Sequence, residues 1–389
     1  MTSPKLRFKE FDGDWSKVSL DKISKVFDGT HQTPNYVESG IKFVSVENIQ
    51  SPYDSDKFIT AEAFKKDFKN KPQLNDILMT RITAGEIGAT AIVNDSEPLA
   101  YYVSLALIRP KANVSTPFLN QYIGTPFFKN ELHKRIIHVA FPKKINLGDI
   151  NECLISLPNK QEEQIKIASF LSAVDEKISQ LTQKYELLSQ YKQGMMQKLF
   201  SQQIRFKADD ESEFGEWQET TLGEVVKFSN SKRIPLSEGE RQKRQGDYRY
   251  YGASGVIDYV DDYLFDGEYI LIGEDGANIL TRSSPLAFIV EGQFWVNNHA
   301  HIFQSKQGNN LFLATYLESL NYEKFNSGTA QPKLNLENLK KVSVINPCLE
   351  EQTKIANFLT VIDQKIETVA QQIEQAKQWK KGLLQQMFV

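Results

Sequence analysis

The sequence is poor in cysteine, which excludes a disulfide-built fold. Its 389 residues contain only Cys153 and Cys348, far apart in the chain. Two such residues give neither a disulfide framework nor a zinc-ligand spacing, so a reducing compartment is expected. Stability must therefore come from buried apolar cores, and this length predicts two or three domains.

Long apolar runs are also missing. No run reaches the roughly 18 residues that a membrane-spanning helix needs. The N-terminal stretch MTSPKLRFKEFDGDW lacks the apolar segment of a secretion signal. We therefore expect a cytoplasmic protein with no membrane partner. Hydrophobic residues make up 40% and charged residues 24%, as in ordinary folded proteins, and the net charge is −3.

The familiar catalytic signatures are absent as well. The sequence has no GxxxxGK[ST] phosphate loop, no GxGxxG turn, no GxSxG elbow and no [DNS]PP[YF] tetrapeptide of amino-methyltransferases. Asp175-Glu176-Lys177 is like a nuclease fragment but lies within a helical repeat, which favours surface charge. His299 and His301 lack a third and a fourth metal ligand close by. The 273–276 turn has two carboxylates, as a calcium or magnesium loop would, but is more typical of a tight turn beside a binding surface. We therefore predict no catalytic residue and no metal site in this chain.

What the sequence does contain is a duplication. The stretch beginning EEQIKIASFL at Glu162 recurs as EEQTKIANFL at Glu350, and 18 of 39 aligned positions are identical as far as Phe200 and Phe388. Each half also opens alike, with Arg7 and Trp15 matched by Arg205 and Trp217, whereas the segments between do not align. The chain is thus a variable block, a shared segment, a second variable block and the shared segment again.

The shared segments have the pattern of long coiled-coil helices. Apolar residues recur at alternating steps of three and four, a heptad seam that Lys192 and Lys380 interrupt. A helix of this length spans roughly 58 Å and cannot be contained in one domain. Internal two-fold symmetry would place the two copies antiparallel, seam against seam. The predicted seam residues are Leu171, Val174, Ile178, Leu181 and Tyr185, with Leu359, Ile362, Ile366, Val369 and Ile373.

A second apolar set lies off this seam: Phe170, Tyr191, Met196 and Phe200 in the first copy, and Phe358, Trp379, Leu384 and Phe388 in the second. A pair of helices buries only one seam, so this stripe is available to the variable blocks or to another protein. The variable blocks themselves combine apolar runs typical of strands, such as 76–82, 269–273 and 294–303, with helical stretches such as 116–136 and 311–325. The predicted fold class is α+β, with two mixed α/β domains joined by the helices.

This layout resembles that of type I restriction–modification specificity subunits. The resemblance covers nearly the whole chain and is based on Pro158 with the EEQ helix that follows it, Pro347 with its copy, and the stretches ILIGEDGAN and FWVNNHAHIF. It implies a target recognition domain in 1–157, a coiled-coil helix in 158–203, a second recognition domain in 204–346 and a second helix in 347–389.

The resemblance also implies a function and partners. Each recognition domain would read one half of an asymmetric, bipartite double-stranded DNA site, and the helices would space the half-sites. Two methyltransferase subunits would dock on the helical core, and two motor-nuclease subunits would join them. S-adenosylmethionine, ATP and Mg²⁺ would belong to those partners, and this chain would bind no cofactor and be no enzyme by itself.

Charge and side-chain chemistry suggest which residues contact DNA. Lysine and arginine neutralise phosphates, and amides can pair with adenine. The phosphate candidates are Arg81, Lys143, Lys144, Lys232, Arg233, Lys243, Arg244, Arg282 and Lys333. The candidate base readers are Asn278, Asn297, Asn298 and Gln331.

Three alternatives remain open at this point. The chain could serve a related bipartite system in which methylation and cleavage share one partner chain. It could be a coiled-coil structural adaptor without a DNA role, which would leave two diverged α/β blocks unexplained. It could also be an enzyme with an unfamiliar active site, which predicts turnover by the purified chain alone.

Overall fold

A computed structural model describes residues 3–328 and 331–389, and it divides into two compact units. The first unit comprises 1–183 and 370–389, and the second comprises 184–369. Each unit therefore contains one variable block and parts of both shared segments. These shared segments are single helices, the first long helix Gln161–Phe200 and the second long helix Leu349–Met387.

The block of the first unit is built on two small sheets. Its four-stranded antiparallel sheet has the order Ser24–Asp28, Leu105–Pro110, Ile77–Thr80, Thr90–Ile92. Its three-stranded sheet has the order Phe58–Ile59, Ile41–Val44, Leu99–Tyr101, and the last two strands are parallel. Short antiparallel pairs join Ser16–Ser19 to Leu154–Leu157 and Lys143–Lys144 to Ile82–Thr83. The helices are Leu20–Ile23, Ala61–Asp67, Thr116–Ile123, Pro126–His133 and Leu147–Asn151.

The block of the second unit repeats this arrangement, with one strand more in its second sheet. Its antiparallel sheet has the order Val226–Phe228, Ala300–Ser305, Tyr269–Gly273, Ala287–Val290. The other sheet has the order Gly255–Val260, Tyr248–Gly252, Gln293–Val296, Phe265–Asp266, again with one parallel pair. Strand Gln218–Thr221 pairs with Ser343–Asn346. The helices are Leu222–Val225, Glu238–Lys243, Asn278–Thr281, Asn310–Ser319 and Leu336–Lys340. Two segments that do not align in sequence therefore have one fold.

The fold confirms the predicted α+β class and the two long paired helices. The predicted helical stretch 116–136 is two helices, Thr116–Ile123 and Pro126–His133, because Thr125 caps a new helix that starts at Pro126. One prediction was wrong in detail: 294–303 is not one strand. Asn297 turns the chain there, its Oδ1 accepting a hydrogen bond from the His299 amide at 2.8 Å, so the two halves enter different sheets.

In each unit the block's core is continuous with the long helices. In the first unit Leu171 of the first long helix and Phe388, just after the second long helix, join one buried cluster with Trp15, Phe118 and Tyr122 of the block. In the second unit Leu199, Ile355 and Leu359 of the two helices are buried with Phe312 of the block. No helix in the described part of the chain is long and apolar enough to cross a membrane.

Candidate DNA-recognition surfaces and helical core

The second glutamate of the repeated EEQ motif joins the start of each unit's block to a long helix. Glu163, 2% exposed at its side chain, accepts hydrogen bonds from Arg7 Nε at 2.7 Å and Arg7 Nη2 at 2.9 Å. Trp15 Nε1 donates to the same carboxylate at 3.3 Å. The second unit repeats the arrangement with Glu351, Arg205 and Trp217. We call this three-residue arrangement the glutamate lock.

The glutamine of the motif connects two further backbone positions. Gln164 Oε1 accepts from the Ser115 amide at 2.9 Å, and its Nε2 donates to the Pro158 carbonyl at 3.1 Å. Gln352 does the same with the Asn309 amide and the Pro347 carbonyl. Ser115 and Asn309 each cap a helix of their block. The motif that carried the family resemblance therefore fastens each block at three places, a role that the sequence alone did not reveal.

Paired charges explain the lysines that interrupt the seam. In the first unit Lys380 Nζ lies 2.5 Å from Asp175 Oδ1 on the other long helix. In the second unit Lys192 Nζ lies 2.6 Å from Asp363 Oδ1. Each pair joins the end of one helix to the beginning of the other, so the helices run antiparallel in both units. Asp175, interpreted from the sequence as surface charge, thus has a specific partner.

The seam residues differ in burial. Ile178 and Ile366 are partly buried, and Tyr185 is 38% exposed. The other predicted seam positions are buried: Leu171, Val174, Leu181, Leu359, Ile362, Val369 and Ile373. Burial of this stripe supplies the apolar contact that a short antiparallel coil needs.

The off-seam aromatic residues divide into covered and exposed members. Phe170 is partly buried against Phe8, and Phe358 is partly buried against Phe206, with ring centroids 5.9 and 5.5 Å apart. Tyr191 and Trp379, which are equivalent in the repeat, remain 51% and 54% exposed. The segment that opens each block thus covers part of the stripe, and these two rings stay accessible.

The three basic candidates of the first block have different surroundings. Arg81 is only 7% exposed, and its guanidinium donates to the Ile145 carbonyl at 3.1 Å and to Asp28 at 3.0 Å. Lys143 and Lys144 are exposed, and among the described residues no carboxylate forms an ion pair with either. The lysines are therefore free for phosphate, whereas Arg81 supports the strand that carries them.

Glu274 organises the basic candidates at one edge of the second block. Its carboxylate accepts a hydrogen bond from Arg233 Nη1 at 2.9 Å and lies 3.7 Å from Lys333 Nζ. Beside it, buried His301 donates from Nε2 to the Leu334 carbonyl and accepts from Asn230 at Nδ1. Burial lowers the pKa of the His301 imidazole below its ordinary value, which fits this neutral tautomer. Arg233 mainly tethers this edge, while half-exposed Lys333 faces outward.

The candidate amide side chains also differ in how available they are to a ligand. Asn278 bonds the backbone of Ser284 through both its oxygen and its nitrogen, and Asn297 is buried at the turn described above. Asn298 and Gln331 are exposed. Among the amides, these last two present free edges to a ligand.

The remaining basic candidates lie at three places in the second block. Lys232 and Lys243 are exposed. Arg244 pairs with Asp261 at 2.8 Å and lies over the Trp295 ring. Arg282 is held by Glu318 at 2.7 Å, with a left-handed backbone at φ 51°. The structure does not bring all the candidates into one patch, and the described residues contain no cluster of three or more metal-ligating side chains.

Comparison with known proteins identifies the layout. The family model "Type I restriction modification DNA specificity domain" matches twice, at 13–190 and 215–378. The chain is 28% identical to the MjaX type I restriction enzyme specificity subunit of Methanocaldococcus jannaschii, over 98% of this chain and 94% of that protein. It is 36% identical to the Haemophilus influenzae specificity subunit S.HindORF215P over 148 residues, which is 37% of that protein.

Solved structures agree with the fold. The crystal structure of a type I restriction–modification S subunit from M. genitalium superimposes with a TM-score of 0.66 at 17% identity, covering 100% of this chain and 99% of that one. The duplicated family match, the paired helices and the two blocks of one topology all agree. The chain belongs to the type I restriction–modification DNA specificity family, whose members provide DNA sequence recognition within a restriction–modification complex.

Proposed function

We propose that each block reads one half of an asymmetric, bipartite DNA site, and that the long helices set the spacing of the half-sites. The observation that carries this proposal is the pair of blocks with one topology and one glutamate lock but different surface residues. A scaffold that the two blocks share, with different outer loops on each, suits two domains that recognise different DNA sequences. Lys143 and Lys144 in the first block, and Lys232, Lys243 and Lys333 in the second, are exposed cations suited to phosphates.

The helical core is the proposed docking place for two modification subunits, which methylate adenine, and two motor-nuclease subunits would complete the restriction complex. Tyr191 and Trp379 support this, because equivalent aromatic rings on both helices remain about half exposed. Aromatic residues of this kind are enriched at protein interfaces. S-adenosylmethionine, ATP and Mg²⁺ would be bound by these partners.

The test is co-expression with the modification subunit of the same genome, followed by single-molecule sequencing of host DNA for N6-methyladenine. We expect one bipartite motif with two different halves separated by a fixed gap. A stable complex that methylates no motif, or a motif with a single undivided half, would contradict the proposal.

Exchange of one block assigns the halves. Replacing residues 227–330 by the equivalent segment of a relative leaves the glutamate lock and Gln352 in place. We expect only one half of the methylated motif to change, and the gap to stay the same. A change in both halves would contradict the assignment of one half to each block.

A further inference from the structure

Two apolar side chains of the first block project into solvent almost completely. Val139 is 98% exposed and Phe141 is 90% exposed, whereas the next large apolar side chain among the described residues, Leu74, is 58% exposed. Exposed apolar residues are common, but an aromatic ring at the tip of a loop that touches almost nothing else in the protein is unusual. Such a ring is placed to contact something outside the chain.

The base of this loop is firmly held. The Ile137 amide donates to the Lys144 carbonyl at 2.8 Å, and Lys143–Lys144 pairs with Ile82–Thr83. The next residue, Ile145, is buried, and its amide donates to the Arg81 carbonyl at 3.0 Å. The Arg81 guanidinium returns a hydrogen bond to the Ile145 carbonyl. Phe141 is therefore presented from a fixed base, and the buried arginine has a role in holding that base.

The positive charge next to the loop tip indicates which kind of ligand the tip would contact. Lys143 and Lys144 directly follow the tip, are exposed and have no ion-pair partner among the described residues. A protein interface rich in unpaired lysine would be unusual, since lysine is depleted there. A nucleic-acid duplex matches both features: its phosphates attract the lysines, and its stacked bases accept an apolar wedge.

We propose that Phe141, with Val139 beside it, is an apolar wedge that enters a groove and partly unstacks one base step of the half-site read by the first block. The inference deepens the proposed function and rests on it. Lys143 and Lys144 would hold the phosphates next to the opened step. The first block would then select its half-site partly through ease of deformation, which favours pyrimidine–purine steps.

The equivalent loop of the second block has different chemistry. Each loop has a proline shortly before the matching asparagine, Pro142 four residues before Asn146 and Pro332 three residues before Asn335. Aligned on these prolines, Gln331 takes the place of Phe141. Gln331 is exposed and polar, which suits direct hydrogen bonding to a base edge. The wedge therefore belongs to the first block alone, and only one half-site should be distorted by it.

The experiment uses the chain in complex with its modification subunits and a duplex that carries the methylated motif, with fluorescent dyes at both ends. Energy transfer between the dyes reports bending, and titration reports affinity. We expect Phe141→Ala to abolish a large part of the bend and to bind about tenfold more weakly, as removal of a stacked aromatic side chain predicts. Phe127→Ala, which removes another exposed phenylalanine of the same unit, should bend and bind like the wild type.

Two results would overturn the wedge. Unchanged bending and affinity in Phe141→Ala would show that the ring does not act on DNA. Failure of the variant to assemble with modification subunits in the absence of DNA would show that the tip contacts protein instead. Either result leaves the bipartite motif of the wild type intact, so failure of the wedge is distinct from failure of the proposed function, in which no bipartite motif is methylated at all.

Discussion

A carboxylate removed from water needs a positive partner, and Glu351 shows how completely this protein meets that need. Its side chain is fully buried, and its oxygens accept two hydrogen bonds from Arg205 and one from Trp217. The hydrogen bonds to Glu351 raise the pKa of the Arg205 guanidinium, so the arginine stays charged. Glu350, its neighbour in the sequence, is 56% exposed and lies 3.9 Å from Lys354.

Removing the buried member should therefore cost far more than removing the exposed one. We expect Glu351→Ala to lower the free energy of unfolding by about 3 kcal/mol, because it leaves the Arg205 charge without its partner. Glu350→Ala should change it by less than about 0.5 kcal/mol. Urea unfolding followed by circular dichroism measures both, and equal effects would disprove the glutamate lock as a stabilising interaction.

The two cysteine thiols also differ in their exposure to solvent. Burial raises the pKa of the Cys153 thiol to about 12, whereas Cys348 is exposed. At pH 8 we expect a thiol reagent to modify one cysteine per folded chain and two after unfolding in urea, with Cys348→Ser reducing the folded value to none. Rapid modification of both in the folded chain would contradict the burial.

The same shift has a consequence for stability. The unfolded thiol ionises near a pH of about 8.5, so above that pH the unfolded chain releases a proton that the folded chain retains. The contribution of Cys153 to folding therefore declines as pH rises from about 8.5 toward 12.

At the scale of elements, the parts that could be predicted were those with a long local pattern. The heptad seam recurs over many turns, so both long helices could be recognised from spacing alone. Strand Tyr248–Gly252 was missed because its sequence, YRYYG, alternates weakly. It pairs antiparallel with Gly255–Val260, which follows directly in the chain, and parallel with Gln293–Val296, more than 40 residues away. The distant parallel pairing leaves no local signal in the sequence.

The candidate residues that stay available to DNA were harder to predict for the same reason. Arg81 and Lys143 have equal charge in the sequence, but Asp28 and Ile145 enclose only the arginine. Lys192 and Lys380 were recognised as interruptions of the seam, while the aspartates that pair with them lie on the other helix. The sequence shows which residues are charged, and long-range packing decides which of them remain available.

The ion pair between Asp175 and Lys380 gives a prediction about these helices. We expect Asp175→Lys to destabilise the first unit by about 1 kcal/mol, since two lysines would then oppose each other across the helix pair. Adding Lys380→Asp should restore most of that stability, and a double-mutant cycle on urea midpoints measures the coupling. No recovery in the double variant would show that the pair does not stabilise the helix arrangement.

At the scale of the whole molecule, a net charge of −3 means that DNA binding must depend on local cations. We expect the affinity of the complex for its site to fall as salt rises, because bound phosphates release counterions. Lys143→Gln with Lys144→Gln should reduce the slope of log affinity against log salt by about two, because each lysine is proposed to neutralise one phosphate. Lys377→Gln, on the second long helix, is the control and should leave the slope unchanged.

The glutamate lock has a consequence for how such a protein changes over generations. Arg205, Trp217, Glu351 and Gln352 belong to the repeated parts of the chain, and none of them lies on the exposed loops of the block. We expect mutations in those loops to alter the target without weakening the attachment. Selection for new targets and selection for a stable fold therefore act on separate residues, and a lineage can acquire new specificities while its scaffold stays the same.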